Sequence, residues 1–302
     1  MKISFVIPAY NEENYIEACL QSITCHCKMN NIDAEILVID NGSTDNTANL
    51  AKQSTDNVYS IERSSVSYAR NYGAHKAGNE IIAFIDADVE ITETWVKCFI
   101  SNYSNFISNP DFLTGHQCAV PENGGWIEQY WFKNITDRLL GGANIITSRK
   151  SFNLVNGFDV NLETGEDYDF CTRSINAGIN YFTDTGFKAI HLGFPHTLYQ
   201  FLRREYWHGK SDFITLKRFA ESQVAIIAVC YLLLHTIAII LLIMGNILIS
   251  ASLLVTLFLS NFLITYKRFN KCNLKIIFVN SFLNYAYFCA RATSALSFKR
   301  RG

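Results

Sequence analysis

Residues 81–88 read Ile81-Ile82-Ala83-Phe84-Ile85-Asp86-Ala87-Asp88. Five apolar residues without polar alternation describe a strand buried on both faces, as in a parallel sheet. The run ends on two carboxylates one residue apart, which a strand end projects to the same side. Acids at the edge of a core need a positive partner. A divalent cation holding a diphosphate would supply one. The alternative is that Asp86 and Asp88 cap the next helix or lie solvated in a loop.

Working outward, strands and helices alternate. Ile3 to Ile7 reads as a strand stopped by Pro8, and Glu12 to Ile23 as a helix. Glu35 to Ile39 and Val58 to Ile61 read as strands, and Ala48 to Lys52 and Tyr68 to Ala77 as helices. Such alternation predicts an α/β fold with a mostly parallel sheet covered on both faces. Ligands of these sheets bind beyond the carboxyl ends of the strands.

The predicted strand ends are all polar. Pro8-Ala9-Tyr10-Asn11-Glu12-Glu13 follows the first, with Asn11 a candidate helix N-cap. Asp40, after the second, is placed to bond a ribose hydroxyl or a base N–H, and Ser43, Asp45 and Thr47 start the next helix. Arg70 follows the third on a helix, within reach of a diphosphate. No G-x-G-x-x-G follows a strand, which argues against a dinucleotide fold. Gly209-Lys210-Ser211 lacks the earlier glycine and the preceding strand of a P-loop.

The net charge of −1 gives no electrostatic reason to expect a nucleic-acid partner. Nine scattered cysteines, and no leader expected ahead of the strand at Ile3, fit reduced cytosolic thiols. Cys25-His26-Cys27 lacks a second ligand pair at zinc-site spacing. No Asp, Glu, Lys or Arg occurs between Glu221 and Lys267. The 43 residues from Val224 to Tyr266 suffice for two helical crossings with a turn near Gly245-Asn246. Arg203, Arg204, Lys210, Lys217 and Arg218 precede this hairpin, and Lys267, Arg268, Lys271 and Lys275 follow it. Both flanks are therefore expected in the cytoplasm. Residues 276–298 end on Lys299-Arg300-Arg301, which favours an interfacial helix over a third crossing. The expected organisation is a catalytic domain at 1–210, a basic amphipathic linker at 211–223, two membrane helices at 224–266 and a basic C-terminal segment at 267–302.

The strand-end blocks, with Ala69-Arg70-Asn71-x-Gly73, Asn156-Gly157-Phe158-Asp159 and Gly165-Glu166-Asp167-Tyr168-Asp169-Phe170, resemble the family 2 inverting glycosyltransferases over residues 1–210. The resemblance implies the GT-A fold. It implies Pro8, Tyr10, Glu12, Asp40, Arg70, Asp86, Ala87 and Arg203 as donor-binding residues. Asp86 and Asp88 become a D-x-D pair for Mg²⁺ or Mn²⁺, with His191 near the metal or diphosphate. Asp167 becomes the general base, with Glu166 beside it, and Gly142-Ala143-Asn144 lines the sugar pocket. An inverting transfer needs one base for the acceptor proton and positive charge for the leaving diphosphate. By residue type alone, residues 165–169 are also an acidic helix start, and His191 a structural histidine.

Gln200-Phe201-Leu202-Arg203-Arg204 nearly matches the Q-x-x-R-W of processive polysaccharide synthases, but Arg204 replaces the tryptophan and the membrane part is short. Arg203 and Arg204 are candidates for clamping a diphosphate or facing anionic lipid. Trp126, Tyr130 and Trp131 suit sugar stacking, a membrane interface or a core. The leading expectation is an inverting, metal-dependent enzyme that moves a sugar from a nucleotide-diphosphate donor, UDP-linked by resemblance, to a lipid-linked saccharide. Its site would be at the cytoplasmic membrane face, in polysaccharide or glycolipid biosynthesis. The alternatives are transfer to a polyprenyl phosphate and a catalytically silent membrane scaffold of the same fold.

Overall fold

The computed structural model describes residues 1–135, 139–269 and 273–297. Lys271 and Lys299-Arg300-Arg301, singled out above, lie outside the described residues. The chain divides into two compact units, Met1–Glu122 with Asp137–Phe194, and Asn123–Thr136 with Pro195–Gly302.

The first unit is built on a seven-stranded sheet. Its strands are β1 (Lys2–Ala9), β2 (Asp33–Asp40), β3 (Val58–Ser60), β4 (Ile81–Ile85), β6 (Phe112–Gly115), β7 (Asn144–Ser148) and β8 (Asn180–Tyr181). The order is β3-β2-β1-β4-β7-β6-β8. The first four strands are parallel, as predicted, and β7 runs antiparallel to both β4 and β6. A separate ribbon pairs β5 (Val89–Ile91) with β9 (Ala189–His191). Side chains alternate across β1. Ile3, Phe5 and Ile7 join one core with α1 (Ile16–Met29) and α4 (Glu93–Ser108). Val6 joins the other, with residues of α3 (Val66–Lys76), α5 (Arg149–Leu154) and α6 (Glu166–Asn176). The remaining helix of this unit is the short α2 (Thr47–Ala51).

Several local expectations shift. Pro8 does not end β1: it stays in register with Ile39, beyond Val6, where the β4 pairing stops. A proline without an N–H is tolerated there. Asn11 is not an N-cap. It takes positive φ, and α1 begins only at Ile16, because the Asn11 side chain accepts a bond from Thr44 N at 2.8 Å. Asn tolerates this left-handed geometry better than most residues. Asp86 to Asp88 form a turn closed by Val89 N to Asp86 O at 3.1 Å, rather than a strand extension.

The second unit comprises a π-helical turn (Glu128–Phe132), α7 (Leu198–Gly209), a 3₁₀ turn (Lys210–Phe213), α8 (Leu216–Glu221) and three long helices. These are α9 (Gln223–Ile243), α10 (Ile247–Arg268) and α11 (Leu274–Thr293). Gly245 takes positive φ in the α9–α10 turn, where glycine carries no Cβ penalty. By length and composition α9 and α10 can each cross a membrane. The unit buries polar side chains among apolar ones and turns large apolar residues outward. Ser250, Asn261, Thr265, Asn280, Ser281 and Asn284 are buried, while Ile243, Leu248, Ile249 and Phe258 are exposed. Trp131 is a core residue, with ring contacts to Phe201, Phe269 and Tyr287 at 5.3–5.6 Å. Trp126 is exposed.

Candidate active site

The loops after β1 and β2 are joined by reciprocal bonds. Asn11 N meets Ser43 Oγ at 3.0 Å, Glu12 N meets Thr47 Oγ1 at 2.7 Å, and Asn46 N meets Glu13 Oε2 at 3.0 Å. Ser43, Asp45 and Thr47 thus brace the first loop, and of the three only Thr47 lies in the helix that follows. Asp40 is buried at the end of β2. It accepts Ser43 N and Ser60 Oγ, each at 3.1 Å, so its role inside the protein is to tie this edge together. Tyr10 is exposed beside it in the first loop, with the Arg63 guanidinium 3.4 Å above its ring. Arg63 had no sequence signal, because it lies in a loop without a motif.

Arg70 is the centre of the acidic site. Ser65 caps α3 through Tyr68 N and so sets the helix that carries it. Its side chain is only 3% exposed, over the Phe158 ring. One terminal nitrogen meets Asp86 Oδ1 and the other Glu166 Oε1, both at 2.7 Å. Arg70 therefore engages protein carboxylates with both ends, rather than presenting a free fork to a ligand. Gly165, in the left-handed region, starts α6 and puts Glu166 and Asp167 in its first turn. Asp167 Oδ2 accepts Gly142 N at 2.9 Å. Gly142 lies flat on Arg70: an added Cβ would be 2.5 Å from Nη2. One guanidinium and one glycine thus link Asp86, Glu166 and Asp167. Burial raises the Glu166 pKa above the ordinary value, Arg70 opposes the shift, and Asp167 adds to it.

Asp88 lies 3.7 Å from His191 Nε2, beyond hydrogen-bond range. His191 stacks on Phe194, and its buried Nδ1 has no hydrogen-bond partner. Gly193 permits the close approach: a Cβ there would come within 1.9 Å of Asp88 Oδ2. The Glu12 carboxyl is pushed up to about 8, first by burial and then by Asp88, Asp86 and Asp45. This crowding of negative charge is the condition a cation relieves. The predicted trio Asp86, Asp88 and His191 is not gathered as a ligand set, and among the described residues no three such side chains are. Arg70 has drawn Asp86 Oδ1 into an ion pair. One or two carboxylates completed by substrate phosphates and water suit Mg²⁺ or Mn²⁺, so the donor set fits a substrate-bridged ion and not a closed protein cage.

The remaining predictions divide. Ala87 points into the core, so only its backbone is available to a ligand. Pro8 is part of the β1 ladder. Asn144 is buried and fully bonded, donating to His116 O and Phe187 O and accepting Trp95 Nε1. It braces the sheet rather than lining a pocket. Arg203 is exposed on α7, in the second unit. Arg204 is paired with Glu205 at 2.6 Å.

A mostly parallel sheet with strand-end acids, in which only β7 is reversed among the described strands, and an acidic helix start define a GT-A-type fold. Residues 4–105 match the family described as Glycosyl transferase family 2. Glycosyltransferase AglE of Haloferax volcanii is 28% identical over 191 residues, 58% of this chain and 62% of that protein. The undecaprenyl-phosphate 4-deoxy-4-formamido-L-arabinose transferase of Serratia proteamaculans is 33% identical over 97 residues, 30% of this chain and 29% of that one. The chain thus spans less than two thirds of each of these relatives. Among solved structures, the mannosyltransferase PcManGT from Pyrobaculum calidifontis, in complex with GDP-Man and Mn²⁺, is similar with a TM-score of 0.63. That likeness covers 99% of this chain and 88% of that one at 18% identity, and shows the fold.

Proposed function

We propose that this protein is a membrane-anchored, metal-dependent, inverting glycosyltransferase. It moves one sugar from a nucleoside-diphosphate donor to a lipid-linked acceptor at the cytoplasmic face. The observation that carries this reading is the bridge Asp86–Arg70–Glu166 beside Asp167, which brings the acids after β4 to the start of α6. Asp88 and Asp86 would hold Mg²⁺ or Mn²⁺, which when bound neutralises charge on the leaving diphosphate. Asp167 takes the proton of the acceptor hydroxyl as its oxygen bonds the anomeric carbon. The bond from that carbon to the diphosphate breaks, and its electrons leave with the diphosphate. Glu166, held at 2.7 Å by Arg70, positions the site rather than acting as a second base. Asp40, Tyr10 and Glu12 form the nucleoside side.

The apolar exterior of α9 and α10 supports the membrane anchor. The basic residues flanking α9 and α10 support a cytoplasmic active site. The full chain in detergent, given a panel of UDP- and GDP-sugars, should release nucleotide diphosphate with Mn²⁺ and stop with chelator. Asp167→Asn should lower transfer by about 10²–10⁴-fold while nucleotide affinity holds. Unchanged turnover would remove Asp167 as base.

The Serratia proteamaculans relative motivates a second reading, transfer directly to a polyprenyl phosphate. That acceptor is already an anion and needs little help from a base. Activity surviving Asp167→Asn but lost in Asp88→Ala would select it.

A further inference from the structure

Helix α11 buries Asn280, Ser281 and Asn284 among apolar neighbours and exposes a row of large apolar residues. Asn261 Nδ2 donates to Ser281 O at 2.8 Å, Asn284 Nδ2 to Asn261 Oδ1 at 2.9 Å, and Asn280 Nδ2 to Tyr130 O at 2.7 Å. Outward, at four-residue spacing, stand Leu274, Phe278 and Phe282, which are 75%, 71% and 55% exposed. A helix packed on a water-soluble unit turns polar residues outward instead. Leu254, Phe258 and Leu263 of α10 are likewise apolar and exposed.

With 20 residues, α11 is long enough to cross a bilayer, so the position of its ends decides its orientation. It starts shortly after Arg268, the last residue of α10. A crossing helix would carry Arg291 about 25 Å away from that charged end, at 1.5 Å per residue. Instead the Tyr287 ring lies 4.8 Å from the Arg268 guanidinium and 5.0 Å from that of Arg291. Arg291 also bonds Glu205 Oε2 at 3.0 Å and meets Asp212 at 3.4 Å. Glu205 and Asp212 lie upstream of α9, in the polar segment that leads into the hairpin. Both ends of α11 therefore belong to the charged end of the hairpin.

We infer that α11 is an in-plane membrane helix. It lies across the charged end of the α9–α10 hairpin at headgroup level, with Leu274, Phe278 and Phe282 against phospholipid acyl chains. This rests on the membrane reading of α9 and α10. Its partner is the bilayer itself, because the stripe is apolar and exposed like the outward residues of α10, while the side-chain amides of Asn280 and Asn284 donate within the unit.

The test uses the full chain reconstituted in phosphatidylcholine–phosphatidylglycerol vesicles, brominated either near the headgroup or near the acyl methyl end. Phe278→Trp, Phe282→Trp and, as a control on α10, Phe258→Trp each add fluorescence over the parent chain. The added signals at 278 and 282 should both be quenched most by the shallow bromines, and that at 258 most by the deep ones. Deep quenching at 282 exceeding that at 278 would overturn the in-plane orientation in favour of a crossing. Quenching at 258 with none at 278 or 282 would overturn the lipid contact. No quenching at any of the three would overturn the membrane reading itself.

Discussion

Replacing Arg70 by methionine tests the centre of the proposed site. The guanidinium is 3% exposed and makes two charge-assisted bonds of 2.7 Å, to Asp86 and Glu166. Methionine keeps the unbranched apolar stem but removes the charge. Asp86 retains access to solvent, whereas Glu166 is buried and loses its counter-ion. Removing one partner of a buried ion pair costs about 3–5 kcal/mol, chiefly because an uncompensated charge stays behind. For a unit of this size each kcal/mol shifts the melting temperature by about 2–4 °C, so a drop of about 6–20 °C is expected. Glu166→Gln in the same chain removes the stranded charge and should restore part of the loss, giving a coupling of about 1–3 kcal/mol in a double-mutant cycle. The assay is thermal and urea unfolding of the parent, both single variants and the double variant in detergent. Transfer kinetics should show a fall in kcat larger than any change in donor KM, because Arg70 orients Asp86 and, through Gly142, Asp167. Additive single effects, or a loss below about 1 kcal/mol for Arg70→Met, would refute the bridge as an energetic unit.

Gly193→Ala brings a Cβ into the space of Asp88 Oδ2. It should raise the Mn²⁺ concentration for half-maximal activity about tenfold or more, as displaced metal-site groups do, and a metal titration reads this directly. Glu205, buried between Arg204 and Arg291, has its pKa pulled down to about 2 although burial opposes the shift. A depressed carboxyl contributes stability that is fully present above its unfolded value of 4.5 and is lost as pH falls towards 2. The span corresponds to about 3 kcal/mol. Melting of the detergent-solubilised chain should therefore fall between pH 4.5 and 2, and Glu205→Gln should flatten that fall. An identical acid profile in the variant would remove Glu205 as its source.

Strand and helix content was legible wherever a pattern is local. Ile81–Ile85 has the predicted bounds because five apolar residues have no other low-energy placement in a parallel sheet. The two apolar helices follow from a charge-free stretch alone. The start of α1 was not legible, because it depends on Asn11 bonding a loop 33 residues away. The reversed β7 was not legible either, since strand direction is set by how the chain returns.

Residue types at the site could be named from sequence, since acids at strand ends stand out against apolar runs. Their pairing could not. Arg70 looked free to meet a diphosphate until the fold placed Glu166, 96 residues away, against it. Ala87 looked like part of a binding motif until the turn at 86–88 sent it into the core. The sequence by itself determined the class of sheet, the strand-end acids and the apolar hairpin, because each is written in the spacing of adjacent residues. Only the tertiary structure decided which acid Arg70 neutralises, which glycines make room for a carboxylate or guanidinium, and which face of α11 is hidden. Those outcomes depend on contacts between distant segments, and no local pattern carries them.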